Sequence, residues 1–156
     1  MSSITSITIQ TTPSDHDSLP YQYSRTPVES VALILSHGID GDLKAGKNPK
    51  RQINIMTAET LEQLGREGFQ TAPGQMGEQI IVSGFDVNGL QPGDRVQIGT
   101  ALIEVDKPRT GCAWFEKIQG LSPKLAAGRL GQIAFIIGSG TVKLGDSVRI
   151  VEAQPA

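Results

Sequence analysis

Cys112, the one cysteine of this 156-residue chain, stands in Lys107-Pro-Arg-Thr-Gly-Cys-Ala-Trp-Phe115, two residues before the one tryptophan. Lys107 and Arg109 put two cations just ahead of the thiol. The alternating run Ala101-Leu-Ile-Glu-Val-Asp106 enters as a strand, and Trp114, Phe115 and Ile118 leave with the spacing of one helical face. A thiol between a strand end and a helix start meets unsatisfied backbone N–H groups and the positive end of a helix dipole. Such a setting favours the reactive thiolate. The same residues suit a second reading, a small buried hydrophobe, because free cysteine is among the most buried residue types.

Gly41-Asp-Leu-Lys-Ala-Gly46-Lys47 has the spacing of a phosphate-binding loop. Asn48 stands where a Ser or Thr would hold magnesium, and Pro49 follows where a long helix should open. A triphosphatase is therefore disfavoured. Asp40-Gly-Asp42 begins like a calcium loop, but the twelfth position is Arg51 where a bidentate Glu is needed. One Cys and two His, His16 and His37, give no zinc-ligand spacing. A mononuclear site on His37, Asp40 and Asp42, and a nucleophile pair of Cys112 with His37, remain open but unsupported by spacing. The loop itself is rich in cations, with Lys44, Lys47, Lys50 and Arg51 on a glycine-bearing segment whose amides can approach an anion.

The elements that must position these residues are short. Eighteen glycines and nine prolines punctuate the chain, a pattern of strands and turns rather than a helix bundle. Strands are expected at Ile4–Ile9, Val28–Leu35, Arg51–Met56, Ile80–Val82, Ile133–Ile137 and Ser147–Val151. Arg95–Ile98 and Leu102–Val105 form a hairpin across Gly99-Thr100. The apolar run Val31–Leu35 reads as a central strand, and Thr11–Pro27 as a polar loop or mobile arm. Thr57 is an expected N-cap for a helix with Ala58, Leu61 and Leu64 on one face and a Glu62–Arg66 pair, ending at Gly65 or Gly68. Ser122-Pro-Lys-Leu-Ala-Ala-Gly128 reads as one or two helical turns. Gly93-Asp-Arg-Val-Gln-Ile98 recurs as Gly145-Asp-Ser-Val-Arg-Ile150, one turn used twice. Together these predict a mainly β, α+β fold: a small closed or partly closed β-barrel with a few short helices. An N-terminal strand and arm over 1–27 precedes a barrel over 28–152, and the chain is expected to form one structural unit.

Composition narrows the class. Hydrophobic residues are 38% and charged residues 19%, as in a globular domain. A net charge of −2 gives no reason to expect nucleic acid. A lone cysteine suits a reducing compartment. No start resembles a signal peptide and no run is long enough to span a bilayer, so a cytoplasmic protein without membrane partners is expected.

Read in order, several pieces resemble the MOSC domain, named for the C-terminal domain of molybdenum-cofactor sulfurases. They are Gly38-Ile-Asp-Gly-Asp42, Arg51-Gln-Ile-Asn with Thr57-Ala-Glu59, and Pro73-Gly-Gln-Met-Gly-Glu78. Leu90–Gly99, Lys107-Pro-Arg109 running into Cys112, Gly128-Arg-Leu-Gly131 and Val142-Lys-Leu-Gly-Asp146 complete the series. The likeness spans roughly residues 28 to 152.

The resemblance implies a small β-barrel that binds the molybdenum cofactor, a pterin dithiolene bearing a phosphate. Cys112 matches the family cysteine, thought to carry sulfur or to ligate molybdenum, so it is the expected catalytic residue and metal ligand. Soft thiolate suits a soft metal centre. Expected cofactor-binding residues are Arg51, Glu78, Gln79, Arg109 and Lys44. Arg109 would set its planar fork on a phosphate or oxo group, and Glu78 would accept from pterin N–H groups. Three positions depart from the family. Leu43-Lys44 replace a histidine, Gln79 replaces an asparagine and lengthens the amide arm by one methylene, and Gly111 replaces a proline and relaxes the backbone that aims the thiol. The expected activity is reduction or sulfur transfer on a small substrate, independent of pyridoxal phosphate, with a sulfur donor or acceptor protein or a separate electron-transfer partner. Two alternatives are a metal-free persulfide carrier and a binding domain without catalysis. Asp42, Asp94 and Asp146 are read as turn residues that bond backbone amides.

Overall fold

The computed structural model describes residues 2–152; the polar tail beyond Glu152 lies outside them. The N-terminal isoleucines form β1 (Ser3–Ile9). A bulge between Ile4 and Ser6 lets Ile4 and Ile7, three residues apart, both turn inward. After the arm come β2 (Thr26–Pro27), β3 (Ser30–Ile34) and β4 (Gly38–Ile39). The central segment gives β5 (Ile53–Thr57), α1 (Ala58–Arg66) and β6 (Ile80–Ser83). The rest is β7 (Arg95–Ile98), β8 (Ala101–Pro108), α2 (Ala113–Gln119), a 3-10 turn at Pro123–Ala126, β9 (Gln132–Gly138), β10 (Gly140–Lys143) and β11 (Val148–Glu152).

The protein is a mainly β, α+β fold with two short helices. Eight strands form one sheet in the order β11-β7-β8-β9-β5-β6-β1-β2, and three form a second in the order β10-β3-β4. The strand ladders of the large sheet do not close into a barrel, which corrects the closed form expected from the short strands. Among the described residues, β1 meets the turn before β11 at one bridge, Ser3 with Ser147, beside the hydrogen bonds from Ile4 N to Asp146 O and from Gly145 N to Ile4 O. β5 and β6 run parallel through the α1 crossover; the other strand pairs are antiparallel.

Two apolar clusters result. One lies between the sheets and contains Ile7, Ile55, Ile80, Val96 and Val142. The other lies under the helices and contains Met56, Leu64, Met76, Phe115 and Ile118. Burial of an aliphatic or aromatic side chain of this size contributes about 1.5–3 kcal/mol, so both clusters hold the molecule together.

Local expectations were met unevenly. The run Val31–Leu35 does give the middle strand of the small sheet, but only alternate residues are buried, and Ile34 and Leu35 face outward. Thr57 precedes α1, yet its side chain caps nothing in the helix. Its hydroxyl donates to Phe85 O and accepts from Val87 N, tying the helix start to the loop after β6. The repeated Gly-Asp turns lead into β7 and β11, which are paired neighbours. Asp94 accepts from Gln91 N and Asp146 from Lys143 N, each at 2.8 Å, so one local device is used twice.

Candidate functional site

A cleft of about 260 Å³ opens where β5, the start of α2, the 36–51 loop, the 73–79 turn and the N-terminal arm meet. Cys112, Arg109, Arg51, Lys44 and Gln79 all line it, drawn together from three segments: the stretch before α2, the 36–51 loop and the 73–79 turn. Glu78 does not. Its side chain lies behind the cleft wall, 1% exposed.

Glu78 instead shapes the turn that holds two arginines. Its carboxylate accepts from Gly74 N at 2.6 Å and Met76 N at 3.1 Å, bending Gly74–Gly77 around itself. The carbonyls of that turn then face the cleft. Met76 O accepts from Arg109 Nη1, and Gly77 O accepts from Arg25 Nη2 at 3.1 Å. Gly77, at φ 83°, leaves room for the pair: a Cβ there would sit 2.7 Å from Arg109 Nη2 and 2.8 Å from the Tyr23 ring. Burial pushes the Glu78 carboxyl above its ordinary range, against the pull of its N–H donors and of Arg25.

Arg25 comes from the arm and its side chain is 4% exposed. Its other nitrogen, Nη1, is 3.6 Å from Asp42 Oδ2. Asp42 Oδ1 accepts from Lys44 N, so this aspartate both makes its expected turn and faces Arg25. Gln79 Oε1 accepts from Asn54 N at 2.7 Å, and Gln79 Nε2 lies 3.5 Å from Asp42 Oδ2. The longer amide arm thus spans from β5 to the cationic loop. Burial, then the charges of Arg25 and Arg51, hold the Lys44 ammonium below its usual value. Burial raises the Tyr23 phenol, with Arg109 opposing, and Tyr23 accepts a hydrogen bond from Arg109 Nη2 at 3.3 Å.

Cys112 is exposed at the cleft rim as the residue before α2; its carbonyl accepts from Glu116 N, and its side chain caps nothing. The buried-hydrophobe reading of this cysteine is therefore excluded. Arg109 is fixed just upstream by a hydrogen bond from its N to Gly131 O and by the Phe115 ring, 5.6 Å from its guanidinium carbon. Gly111 packs closely on Pro123: a Cβ there would run into the Pro123 ring. Trp114 carries the arm, meeting His16 at 4.3 Å and Tyr21 at 5.8 Å between ring centroids, both edge-on.

Several buried polar atoms around this cleft have no hydrogen-bond partner: Arg25 Nη1, both amide atoms of Asn54, Arg109 Nε and Trp114 Nε1. These five atoms belong to side chains that line the cleft. His37 does not line the cleft that Cys112 edges, and no cluster of metal-ligating residues exists among the described residues. Lys47 and Asn48 line the cleft, while Lys50 does not.

The MOSC domain model matches residues 41–149. The chain belongs to the MOSC domain family. A search of curated proteins finds no match. Among solved structures, this MOSC protein is similar to YiiM from Escherichia coli, at TM-score 0.73 and 20% identity over 99% of this chain and 72% of that one. It is also similar to the YuaD protein of Bacillus subtilis, at TM-score 0.75 and 18% identity over 95% and 94% of the two chains. YiiM from Geobacillus stearothermophilus aligns at TM-score 0.74 and 22% identity over 97% and 76%. These likenesses establish the fold.

Three polar or aromatic cleft residues of this MOSC protein were given no role from the sequence, although Asn54 closes the Arg51-Gln-Ile-Asn motif. Tyr23 and Arg25 sit in the arm, where the only signal is an alternation, Tyr21, Tyr23, Arg25, inside a polar run. Asn54 sits in a strand, where a lone amide between isoleucines reads as the outward member of an alternating pattern. No helix of the described residues is long and apolar enough to cross a membrane.

Proposed function

We propose that this MOSC protein binds the molybdenum cofactor in the cationic cleft and serves as a reductase or sulfur-transfer protein for a small substrate, with Cys112 at the metal. One observation carries the reading. A cleft edged by the chain's only thiol is walled by buried arginines whose Arg109 Nε and Arg25 Nη1 have no hydrogen-bond partner. Buried donors without a hydrogen bond are costly, even where Arg25 Nη1 faces Asp42 at 3.6 Å, and an anionic ligand satisfies them. The donor set fits the group: one soft sulfur for a soft metal, and planar guanidinium forks for phosphate or oxo oxygens.

The roles follow from the side chains. Cys112 would hold the metal through its thiolate. Arg109 and Arg25 would orient anionic oxygens, each already aimed by a carbonyl of the Gly74–Gly77 turn. Lys44 and Arg51 would neutralise the remaining charge from the loop side, and their mutual repulsion with Arg25 is relieved when an anion enters. Tyr23, with its phenol raised by burial, keeps its proton at neutral pH and can donate it in a hydrogen bond. When bound, the cofactor supplies a redox centre able to exchange electrons or sulfur with the substrate. A separate electron-transfer protein would serve a reductase.

Exposure of Cys112 favours a second reading, a metal-free sulfur carrier. There the Cys112 thiolate attacks the outer sulfur of a donor persulfide, forms a new S–S bond and releases the donor thiolate, with no net oxidation. Metal and pterin analysis of protein purified from a host that makes the cofactor separates the two. Molybdenum and pterin with the wild type, and loss of molybdenum in Cys112→Ser, support the first. Neither component in the wild type, with one added sulfur on Cys112 after incubation with a cysteine desulfurase, supports the second.

A further inference from the structure

Asn54 is an odd residue for its place. It lies in the middle of β5, paired with Ile133 of β9 on one side and held by Gln79 on the other. Its neighbours Ile53 and Ile55 are buried in the core between the sheets, and Met56, on its own face of the strand, is fully buried beneath the helices. An apolar side chain would fit the pattern. Instead an amide stands there, 7% exposed, lining the cleft, with neither its oxygen nor its nitrogen hydrogen-bonded.

The backbone around this amide is pinned unusually well. Gln79 Oε1 accepts from Asn54 N at 2.7 Å, and Gln79 N donates to Asn54 O at 3.1 Å. One residue therefore clasps both main-chain groups of another. Gln79 turns its oxygen to the backbone and makes no hydrogen bond to the Asn54 side chain. The Asn54 amide is left with its NH2 donor group and its carbonyl acceptor free, adjacent and coplanar, on a central strand.

We infer that Asn54 is a recognition residue for a planar nitrogen heterocycle that presents a donor next to an acceptor on one edge. The amide oxygen accepts from a ring N–H or amino group, and the amide nitrogen donates to the neighbouring carbonyl or ring nitrogen. Paired bonds of this kind are how a carboxamide reads the edge of a base. The surroundings agree with a flat ring: Ile53, Ile133, Tyr23 and Trp114 give the same cleft apolar and aromatic walls. This rests on the cofactor reading above, in which that edge belongs to the pterin ring, and it gives Asn54 rather than Glu78 the pterin contact. Glu78 has both carboxylate oxygens committed to the Gly74–Gly77 turn.

The test uses pterin-6-carboxylate, a fluorescent pterin without metal or dithiolene, and 2-naphthoate, a flat aromatic carboxylate that lacks the donor–acceptor edge. Affinities are measured for the wild type, Asn54→Leu and the smaller Asn54→Ala, each checked by a thermal melt. The expected result is a loss of about tenfold or more in pterin affinity in both variants, the size of one paired edge contact. Naphthoate affinity stays unchanged, and Asn54→Leu melts at or above the wild-type temperature because an unpaired buried amide has been removed. Unchanged pterin affinity in either folded variant would overturn the inference, as would an equal loss of naphthoate. The outcome is separable from the cofactor reading. Molybdenum and pterin found with the wild type alongside unchanged pterin affinity in the variants sinks only the Asn54 assignment. Selective pterin binding in protein that never acquires molybdenum sinks only the metal.

Discussion

The core between the two sheets and the ground beneath the cleft are built on opposite terms. The first is aliphatic, with Ile55, Ile80 and Val96 at 0% exposure. The second mixes Phe115 and Met76 with two arginines, a carboxylate and an amide, all buried by their side chains. Buried side-chain atoms without a hydrogen bond among the described residues gather on cleft-lining residues, the exception being Gln132 Oε1. Open polar groups gathered in one cleft, with those elsewhere satisfied, are what the proposed ligand site requires. The contrast separates a region built for packing from the region proposed for binding, and substitutions in each should separate the two.

The largest effect on stability belongs to the aliphatic core. Ile55→Ala should cost about 2–5 kcal/mol in chemical denaturation, through lost burial and the cavity left behind. Anion binding per folded molecule should be unchanged. Glu78→Ala should cost less, about 1–3 kcal/mol, because two N–H groups lose their acceptor. Unlike Ile55→Ala, it should also weaken anion binding, since the turn that aims Arg25 and Arg109 is released. It should flatten an acid-range pH dependence too. The Glu78 carboxyl is raised in the folded state, so the folded protein keeps this proton to higher pH than the unfolded chain. Its contribution is present below the unfolded value and is lost as pH rises toward the folded one. Denaturation midpoints measured across the acid range in wild type and variant check this.

Gly77→Ala probes the same bracket by crowding. A left-handed conformation costs a residue with a Cβ about 1–2 kcal/mol, and the added methyl presses on Arg109 and Tyr23. A thermal melt and an anion titration should both show the loss. The smallest effect concerns charge alone. Arg51→Ala should let the Lys44 ammonium rise toward its ordinary value, read by NMR titration of its Nζ, with little change in fold. Because that value is lowered in the folded protein, stability from this group grows as pH rises through the folded value toward the unfolded one.

How much of this was readable depends on whether the cause is local. The β7–β8 hairpin could be placed because alternation flanks Gly99-Thr100, and Gly99 does take a positive φ of 56°. The paired Gly-Asp turns were visible because an aspartate three residues on accepts from a backbone N–H within the same turn. β10 was missed, since Gly138-Ser-Gly140 interrupts the apolar run and Val142 is the only buried side chain of the strand. Closure of the sheet depends on how distant edges meet, which no local pattern encodes. In the site, the loop cations and Cys112 were readable by chemistry. Arg25 and Tyr23 were not, because the arm has no periodicity and reaches the cleft only through long-range contacts with Gly77, Asp42 and Arg109. Asn54 was hidden for another reason. All five residues of β5 are buried, so alternation does not distinguish a solvent face from a cleft face.

Trp114 is the only tryptophan and lines the cleft, so its fluorescence reports on that space and on the arm packed against it. The most direct measurement is that signal during titration of the purified apoprotein with isolated molybdenum cofactor. A saturable change in the wild type, shifted to much higher concentration in Arg109→Ala while the melting curve stays cooperative, is the predicted result. No change in Trp114 emission at any cofactor concentration would contradict the cleft as a cofactor site.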